Sequence, residues 1–334
     1  MDDGIRIGLE GASPELLDAY QDFGLERARQ GAAGLAWTFG MPAAPCPPFC
    51  VARSGGRIIG LSANIAARVK LGAQEGTAFQ AVDSFVSEEA RGKRLFSRLA
   101  HGFAEAAGEA GVDVTWGFPN ANAAPAWFGG LGWHNFGQVP FLFRPLNASY
   151  LLRKAGLPGG LRLARGTKVA SVSPREFGRE TDQIWADFSS NIGCAVMRDA
   201  EALNRRIFGA PHAGEYRVSI YGEGRDRALV VTRMLEKHGT RIAYVVEAMG
   251  GKGLKPLLQS EMNHLARQGA QIALAWCFPW SPNFRDFRGA GFYPMPERLR
   301  PVEINFGARA LSARGVAAEV RENWYLSYMD SDGV

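Results

Sequence analysis

The feature that most constrains this chain is that it repeats itself, and a repeat is sought before any motif is weighed. Residues 114–133 read VTWGFPNANAAPAWFGGLGW and residues 274–292 read LAWCFPWSPNFRDFRGAGF. Trp116, Phe118 and Pro119 recur as Trp276, Phe278 and Pro279. Gly130, Gly132 and Trp133 recur, one residue closer, as Gly289, Gly291 and Phe292. The segments upstream agree. FQAVDSFV (79–86) alternates in β-forming residues and predicts a strand. RGKRLFSRLAHGFAEAAGEAG (91–111) sets Leu95, Leu99 and Phe103 on one face and stops at Gly111, which predicts a helix. VDVTWGF (112–118) follows as a strand, and 241–249, 254–269 and 271–278 play the same three roles in the second copy. Each copy therefore reads strand, glycine-containing turn, helix, strand, helix, glycine, strand.

Each copy also opens alike. IRIGLEG and KVASVS are short strands, each leading to a helix that starts at a Ser-Pro pair, Ser13-Pro14 and Ser173-Pro174. Serine caps such a start and proline suits the first turn. With 334 residues the chain exceeds one ordinary domain of roughly 100–200. The expected division is a first domain over 1–147, a basic linker over 148–167 with a Pro-Gly-Gly break, and a second domain over 168–334. Charge divides the same way: the net charge of +5 arises entirely beyond the first domain. A basic half suits an anionic partner, such as a phosphorylated cofactor, a nucleotide-linked substrate or RNA. Four cysteines without a CxxC pair exclude a disulfide scaffold and a zinc ribbon, and imply free thiols in a reducing cytoplasm. No apolar run is long enough for a membrane span, and the acidic start MDDGIRIGLEG is unlike a signal peptide. Ser–His–Asp, HExxH and Walker patterns are missing, so nothing points to a hydrolase, a zinc protease or a P-loop enzyme.

The turn at 91–96 carries the chemistry. Amides at the start of a helix lack intrahelical partners and sit at the positive end of its dipole, so they attract phosphate. Arg91, Lys93, Arg94 and Arg98 add positive charge there, and Gly92 permits close approach of the backbone. Cations at that end oppose the dipole by roughly 0.3–1 kcal/mol each, a penalty that a bound anion reverses. VSEEARGKRLFSRL (86–99) resembles the acyl-CoA-binding signature of the GCN5-related N-acetyltransferase superfamily: a strand, then Arg/Gln-x-x-Gly-x-Gly/Ala, then a helix. GFPNANAAPAWFGGLGW (117–133) resembles the family's Asn-led helix with its Gly-aromatic ending. The likeness covers 5–145 and, more weakly, 168–328. Two positions depart from it, with Arg94 at the first glycine and Phe96 at the second small residue.

The resemblance implies an α/β protein of two tandem acyltransferase-like domains, each a mixed central sheet flanked by helices. It implies acetyl-CoA as donor substrate, with no metal, and transfer of the acetyl or another short acyl group to a primary amine of a small acceptor, such as one linked to a sugar. The backbone of Phe85 and Val86 would pair with the pantetheine arm. Arg91, Gly92, Lys93, Arg94, Leu95 and Phe96 would hold the diphosphate, and Asn122 would lie near the arm. The second copy has GGKGLK (250–255) with no leading arginine, so the first copy is expected to bind. Direct attack needs a neutral amine, hence a base. Asp83 is the candidate, on a strand that alternation shares with Phe79, Ala81 and Phe85, although it could equally be tied to a basic residue across the sheet. Relatives place a tyrosine four residues before the Gly-aromatic pair to protonate the leaving thiolate. Here Phe128 and Phe287 occupy that position. Two other functions fit the pattern: a non-catalytic module that binds acyl-CoA or a partner, and a transferase using aminoacyl-tRNA. For the latter no basic-aromatic stripe for RNA is present, so nucleic acid is not expected as a partner.

Overall fold

A computed structural model describes residues 4–41, 44–147, 168–237, 239–300 and 302–331. The linker expected at 148–167 lies outside the described residues. Two compact units are present, and each is assembled from separated stretches of chain. Unit 1 comprises Met1–Gln138, Gly193–Met197 and Glu303–Trp324; unit 2 comprises Val139–Ile192, Arg198–Val302 and Tyr325–Val334.

In unit 1 the strands β1 (Ile5–Glu10), β2 (Phe49–Ser54), β3 (Arg57–Leu71), β4 (Gln74–Val86) and β5 (Val114–Gly117) lie side by side in chain order. β6 (His134–Gln138) closes the far edge, and the short β8 (Cys194–Val196) pairs with the end of β3. Between β5 and β6 sits β14 (Asn305–Ala310), which arrives from the other end of the sequence. Alternation along β2 builds two cores. Phe49 and Val51 face α1 (Pro14–Asp22) and α2 (Gly31–Phe39), while Cys50 and Ala52 face α3 (Leu95–Glu109). Helix α1 starts as its sequence requires: the Ser13 hydroxyl accepts the Leu16 amide at 3.2 Å, with proline in the first turn, a cap worth about 1 kcal/mol. Helix α3 spans fewer residues than the periodicity predicts, because 91–94 form a turn, and it ends at Gly111 with φ +83°.

Unit 2 repeats the pattern in the order β13 (Tyr293–Pro294), β7 (Phe141–Pro145), β12 (Ile272–Trp276), β11 (Thr240–Gly250), β10 (Ala228–Lys237) and β9 (Tyr216–Tyr221). Its central strands pack on α6 (Leu254–Arg267). The strand β7 follows β6 in sequence yet lies between β12 and β13. Each unit is thus completed by a strand from the opposite half of the chain, which is why the compact units differ from the contiguous split at 1–147 and 168–334. The repeated glycines sit where the backbone takes the left-handed conformation that favours glycine. Gly132 and Gly291 both have positive φ (+71° and +86°), and each lies against an arginine of the inserted strand, Arg309 in unit 1 and Arg144 in unit 2.

The second Ser-Pro pair does not start a helix. Residues 168–173 form only a bridge, Val172 to Ile220, and α5 (Arg179–Phe188) begins after Gly178. The Asn204 side chain pins the intervening segment by bonding both the amide (2.8 Å) and the carbonyl (2.9 Å) of Phe177. Among the described residues no helix is long and apolar enough to cross a membrane, and none of the four cysteines is in a disulfide.

Candidate functional site

The parallel pair β4 and β5 is hydrogen-bonded only from Ala78↔Val114 to Ala81↔Gly117. Beyond Ala81 the strands part, and β4 runs on to Val86 beside β3 alone. A bulge marks the parting point: Ala81 faces Asn64 and Ser84 faces Ser62, so three steps along β4 match two along β3. A bulge leaves a residue outside the ladder and re-aims the side chains that follow. Its consequence is a correction to the expected pattern. Phe79 packs on Phe103 and Ala81 lies by Trp127, both on the α3 side, but Phe85 stacks on Phe23 and Asp83 meets Tyr20 and Arg27. Asp83 therefore does not share a face with Phe79 and Ala81.

Where the strands part there is a cavity of about 370 Å³. Strand β4 contributes Ala81, Val82 and Ser84, and β5 with the loop after it contributes Gly117 to Asn120 and Asn122. The remaining wall is Phe96 of α3 with Ala123, Ala126, Trp127 and Trp133 around α4 (Ala124–Gly130). Gly117 is required at the fork, since a Cβ there would lie 2.7 Å from the Ala81 carbonyl oxygen. Asn120 organises the loop by accepting the amides of Asn122 (3.1 Å) and Ala123 (3.0 Å). Asn122 is left to line the cavity, so one asparagine ties the loop and the other faces the site.

Helix α3 begins beside this cavity. Its N-cap, Arg94, makes no side-chain cap, and the first amide bonded back into the helix is that of Arg98, to the Arg94 carbonyl at 3.0 Å. The preceding amides have no intrahelical partner. Arg91, Gly92, Lys93 and Arg94 are all exposed, and the Arg91 side chain pairs with Glu88 at the surface at 3.3 Å. Arg94 has φ +53° and ψ +27°, the left-handed conformation, where the resembling signature has glycine. The departure in sequence thus leaves the turn intact. Phe96 turns onto the Trp127 ring, edge to face at 5.6 Å, and becomes cavity wall. Leu95 is buried in the core beneath α3 and offers only its backbone. Phe85 and Val86 lie beyond the lining of the cavity, their side chains in the cores on opposite faces.

Asp83 is held firmly. Its Oδ2 accepts Arg27 Nε at 2.5 Å and the Tyr20 hydroxyl at 3.2 Å. Arg27 is 7% exposed and Asp83 21%. Burial first, and then the Asp83 charge, push the Tyr20 phenol far above its usual value, so it stays a donor. Phe128 does not reach for a proton; its ring occupies the space above Gly307 of β14, where a Cβ would approach it to 2.4 Å.

The matching place in unit 2 is filled. Strands β11 and β12 pair only from Ile242↔Ile272 to Tyr244↔Leu274 and then part. Asn283 Nδ2 donates to the Ala248 carbonyl at 2.6 Å, and Cys277, at the position of Gly117, donates to Asn283 Oδ1 at 3.3 Å. Behind them Arg198, Glu247, Ser327 and Asp330 form a fully buried network in which Arg198 bonds both carboxylates. The Tyr325 hydroxyl donates to Glu247. The glycines of 250–255 also serve packing: the amides of Gly251 and Lys252 bond the carbonyls of Arg227 (2.9 Å) and Arg225 (3.1 Å). A Cβ on Gly253 would lie 1.8 Å from the Asp226 carbonyl oxygen.

The aromatic and small residues that line the cavity were legible as core or turn, and their role was missed. Trp127 is both core and wall. The signal that could have shown it is the repeat itself, in which Gly117 and Ala123 answer to Cys277 and Asn283. Among the described residues no three His, Cys, Asp or Glu side chains gather as a metal site.

No family model and no curated protein sequence matches the chain. Solved structures do. A GCN5-related N-acetyltransferase from Anabaena variabilis superposes with a TM-score of 0.61 at 10% identity, over 92% of this chain and 73% of that one. One from Kribbella flavida gives 0.59 at 14%, over 94% and 74%. Saccharomyces cerevisiae N-myristoyltransferase with bound myristoyl-CoA gives 0.57 at 11%, over 92% and 83%. The chain has the fold of the GCN5-related N-acetyltransferases.

Proposed function

We propose that unit 1 binds a coenzyme A thioester and transfers its acyl group to an amine. One observation carries the reading: a cavity at the fork of two parallel strands lies beside a helix start that has no side-chain cap and is ringed by exposed cations. The diphosphate would meet the amides of Gly92 to Phe96 with Arg91, Lys93 and Arg94 around it. The pantetheine arm would enter the fork past Asn122 and Phe96. About 370 Å³ is at the small end of small-molecule sites, which favours a short acyl group such as acetyl. The thioester supplies an activated carbonyl and a good leaving group. The amine nitrogen bonds to the carbonyl carbon, the carbon–sulfur bond breaks, and solvent protonates the thiolate.

Asp83 lies on the face of β4 opposite α3, toward α1 and the segment carrying Arg27. In this reading the acceptor approaches from that face, and Asp83, held by Tyr20 and Arg27, takes the amine proton. The filled fork of unit 2 favours binding in unit 1.

The test is thermal unfolding with CoA and acetyl-CoA. A ligand at 100 times its Kd adds about 2.7 kcal/mol to stability. Wild type should shift, and the doubly substituted R91A/K93A protein should shift much less at the same concentration. No shift of the wild type at millimolar CoA defeats the reading.

A further inference from the structure

Both hydrogen bonds to Asp83 land on one oxygen. Arg27 and Tyr20 donate to Oδ2, and Oδ1 has no partner among the described residues. The carboxylate is therefore oriented by two donors with its second oxygen spare. Its surroundings are apolar. Tyr20, Phe23 and Arg27 follow one another at three and four residues and meet one stretch of β4. Tyr20 and Arg27 reach Asp83, and Phe23 stacks on Phe85 with ring centroids 3.6 Å apart. Phe23, Phe85 and Val82 are half-buried, packed on the core beneath α1 and α2 with part of each side chain open. Val82 and Ser84, on either side of Asp83 in sequence, both line the cavity at the fork. A carboxylate with a free oxygen thus stands beside the fork in a partly open apolar surface. Arg27 offers an anion no handle there, being buried with its Nε on Asp83.

Apolar walls with one placed polar group are the makeup of a small-molecule site, and a fixed carboxylate oxygen is strongest as an acceptor from a charged donor. We propose that this surface binds the acceptor, and that the acceptor is a primary amine on an uncharged apolar body, aromatic or aliphatic. Its nitrogen meets Asp83 Oδ1 beside the fork, and its body lies against Phe23, Phe85 and Val82. Phe23 and Phe85 are then the residues that determine specificity. The surface's role as acceptor site rests on the acyl-transfer reading; its choice of an apolar amine does not. This class differs from the anionic one that the net charge suggests.

Calorimetric binding to the protein alone reads that choice without passing through coenzyme A. The probes are 2-phenylethylamine, its neutral analogue 2-phenylethanol, glucosamine and glucosamine 6-phosphate. Burying about 60 Å² more apolar surface corresponds to about a tenfold gain in affinity. 2-Phenylethylamine should therefore bind about tenfold tighter than either sugar. F23A should erase most of that margin, and F85L, which keeps an apolar side chain, should erase part of it if F23A does not fold. D83N should weaken the amine and leave the alcohol unchanged. Transfer from acetyl-CoA, followed as released thiol, should rank the amines in the same order, with F23A raising KM rather than lowering kcat. Tighter binding of the phosphorylated sugar, equal binding of all the amines, or a preference that survives both F23A and F85L overturns the proposal. An apolar preference without acetyl transfer defeats the acyl-transfer reading and leaves the amine site standing.

Discussion

Replacing Arg94 with glycine separates the two roles that this residue combines. Among the described residues it is the only non-glycine with positive φ, and the left-handed conformation costs an L-residue roughly 1–2 kcal/mol. Glycine relieves that strain but gives back about 0.5–1 kcal/mol through the freedom it has when unfolded. The net gain for R94G is therefore about 0.5–1 kcal/mol. Removing a cation from the positive end of α3 adds a few tenths in the same direction. For a unit of this size the sum should raise the melting point by about 2–4 °C. R94A serves as the control, since it removes the charge but keeps the Cβ, and should melt close to wild type. Anion binding should move the other way. An exposed charge near 4 Å from a phosphate is worth about 1 kcal/mol in water, so both variants should bind CoA about fivefold more weakly, with a shallower dependence on salt. Urea and thermal melts, with and without CoA, read all of this. If R94G melts below R94A, the left-handed turn is not strained at Arg94, and the equivalence with the family glycine is lost.

Three further outcomes follow from named contacts. Gly117→Ala places a Cβ 2.7 Å from the Ala81 carbonyl oxygen, so it should cost about 1–3 kcal/mol in urea melts and remove the CoA-induced shift. Arg198→Met leaves Glu247 and Asp330 buried without their shared cation and should cost about 3–5 kcal/mol, seen as a lower urea midpoint. His212 is held below its ordinary value of 6.5, first by burial and then by Arg233 and Arg206. Its unfolded form therefore gains a proton before the folded form does, so stability is full above pH 6.5 and falls as the pH drops below it. His212→Gln should flatten that fall in melts between pH 7.5 and 5.5.

The sequence disclosed local order well, because local order depends on neighbours. The Leu95, Leu99 and Phe103 stripe faces the core, the glycine at 111 ends α3, and Ser13 caps α1. At the site the turn at 91–96 was legible from charge and glycine. The cavity walls were not, since Trp127 and Trp133 look like any buried aromatics until the fork leaves one side of them open. The bulge in β4 was invisible for a different reason. Strict alternation put Asp83 with Phe79 and Ala81, and only the pairing with β3 shows the extra residue that turns it toward Arg27. The partner at Arg27 lies far off in sequence, and no local pattern announces it.

The least legible feature is the exchange of β7 and β14, because strand order is decided between segments far apart in sequence. It makes a strong prediction about fragments. A chain of residues 1–147 lacks β14, which pairs with β5 from Gly307 to Ala310 and with β6 on its other edge. It also lacks Phe306, fully buried against Trp324, Phe118 and Phe136. The gap would leave β5 and β6 with unpaired edges and open the core under Trp116, which itself packs on Trp324. Burial of one such aromatic is worth about 3–5 kcal/mol when truncated, and two are lost with the ladder, against a total stability of about 5–15 kcal/mol. Residues 1–147 alone should therefore fail to fold cooperatively and should aggregate through the open edges. Co-expression of 1–147 with 168–334 should yield a soluble complex with a single cooperative melt, since the second fragment supplies β14 and receives β7. A well-dispersed amide spectrum from 1–147 alone would show that the inserted strand is dispensable and that the units fold as the contiguous halves of the sequence.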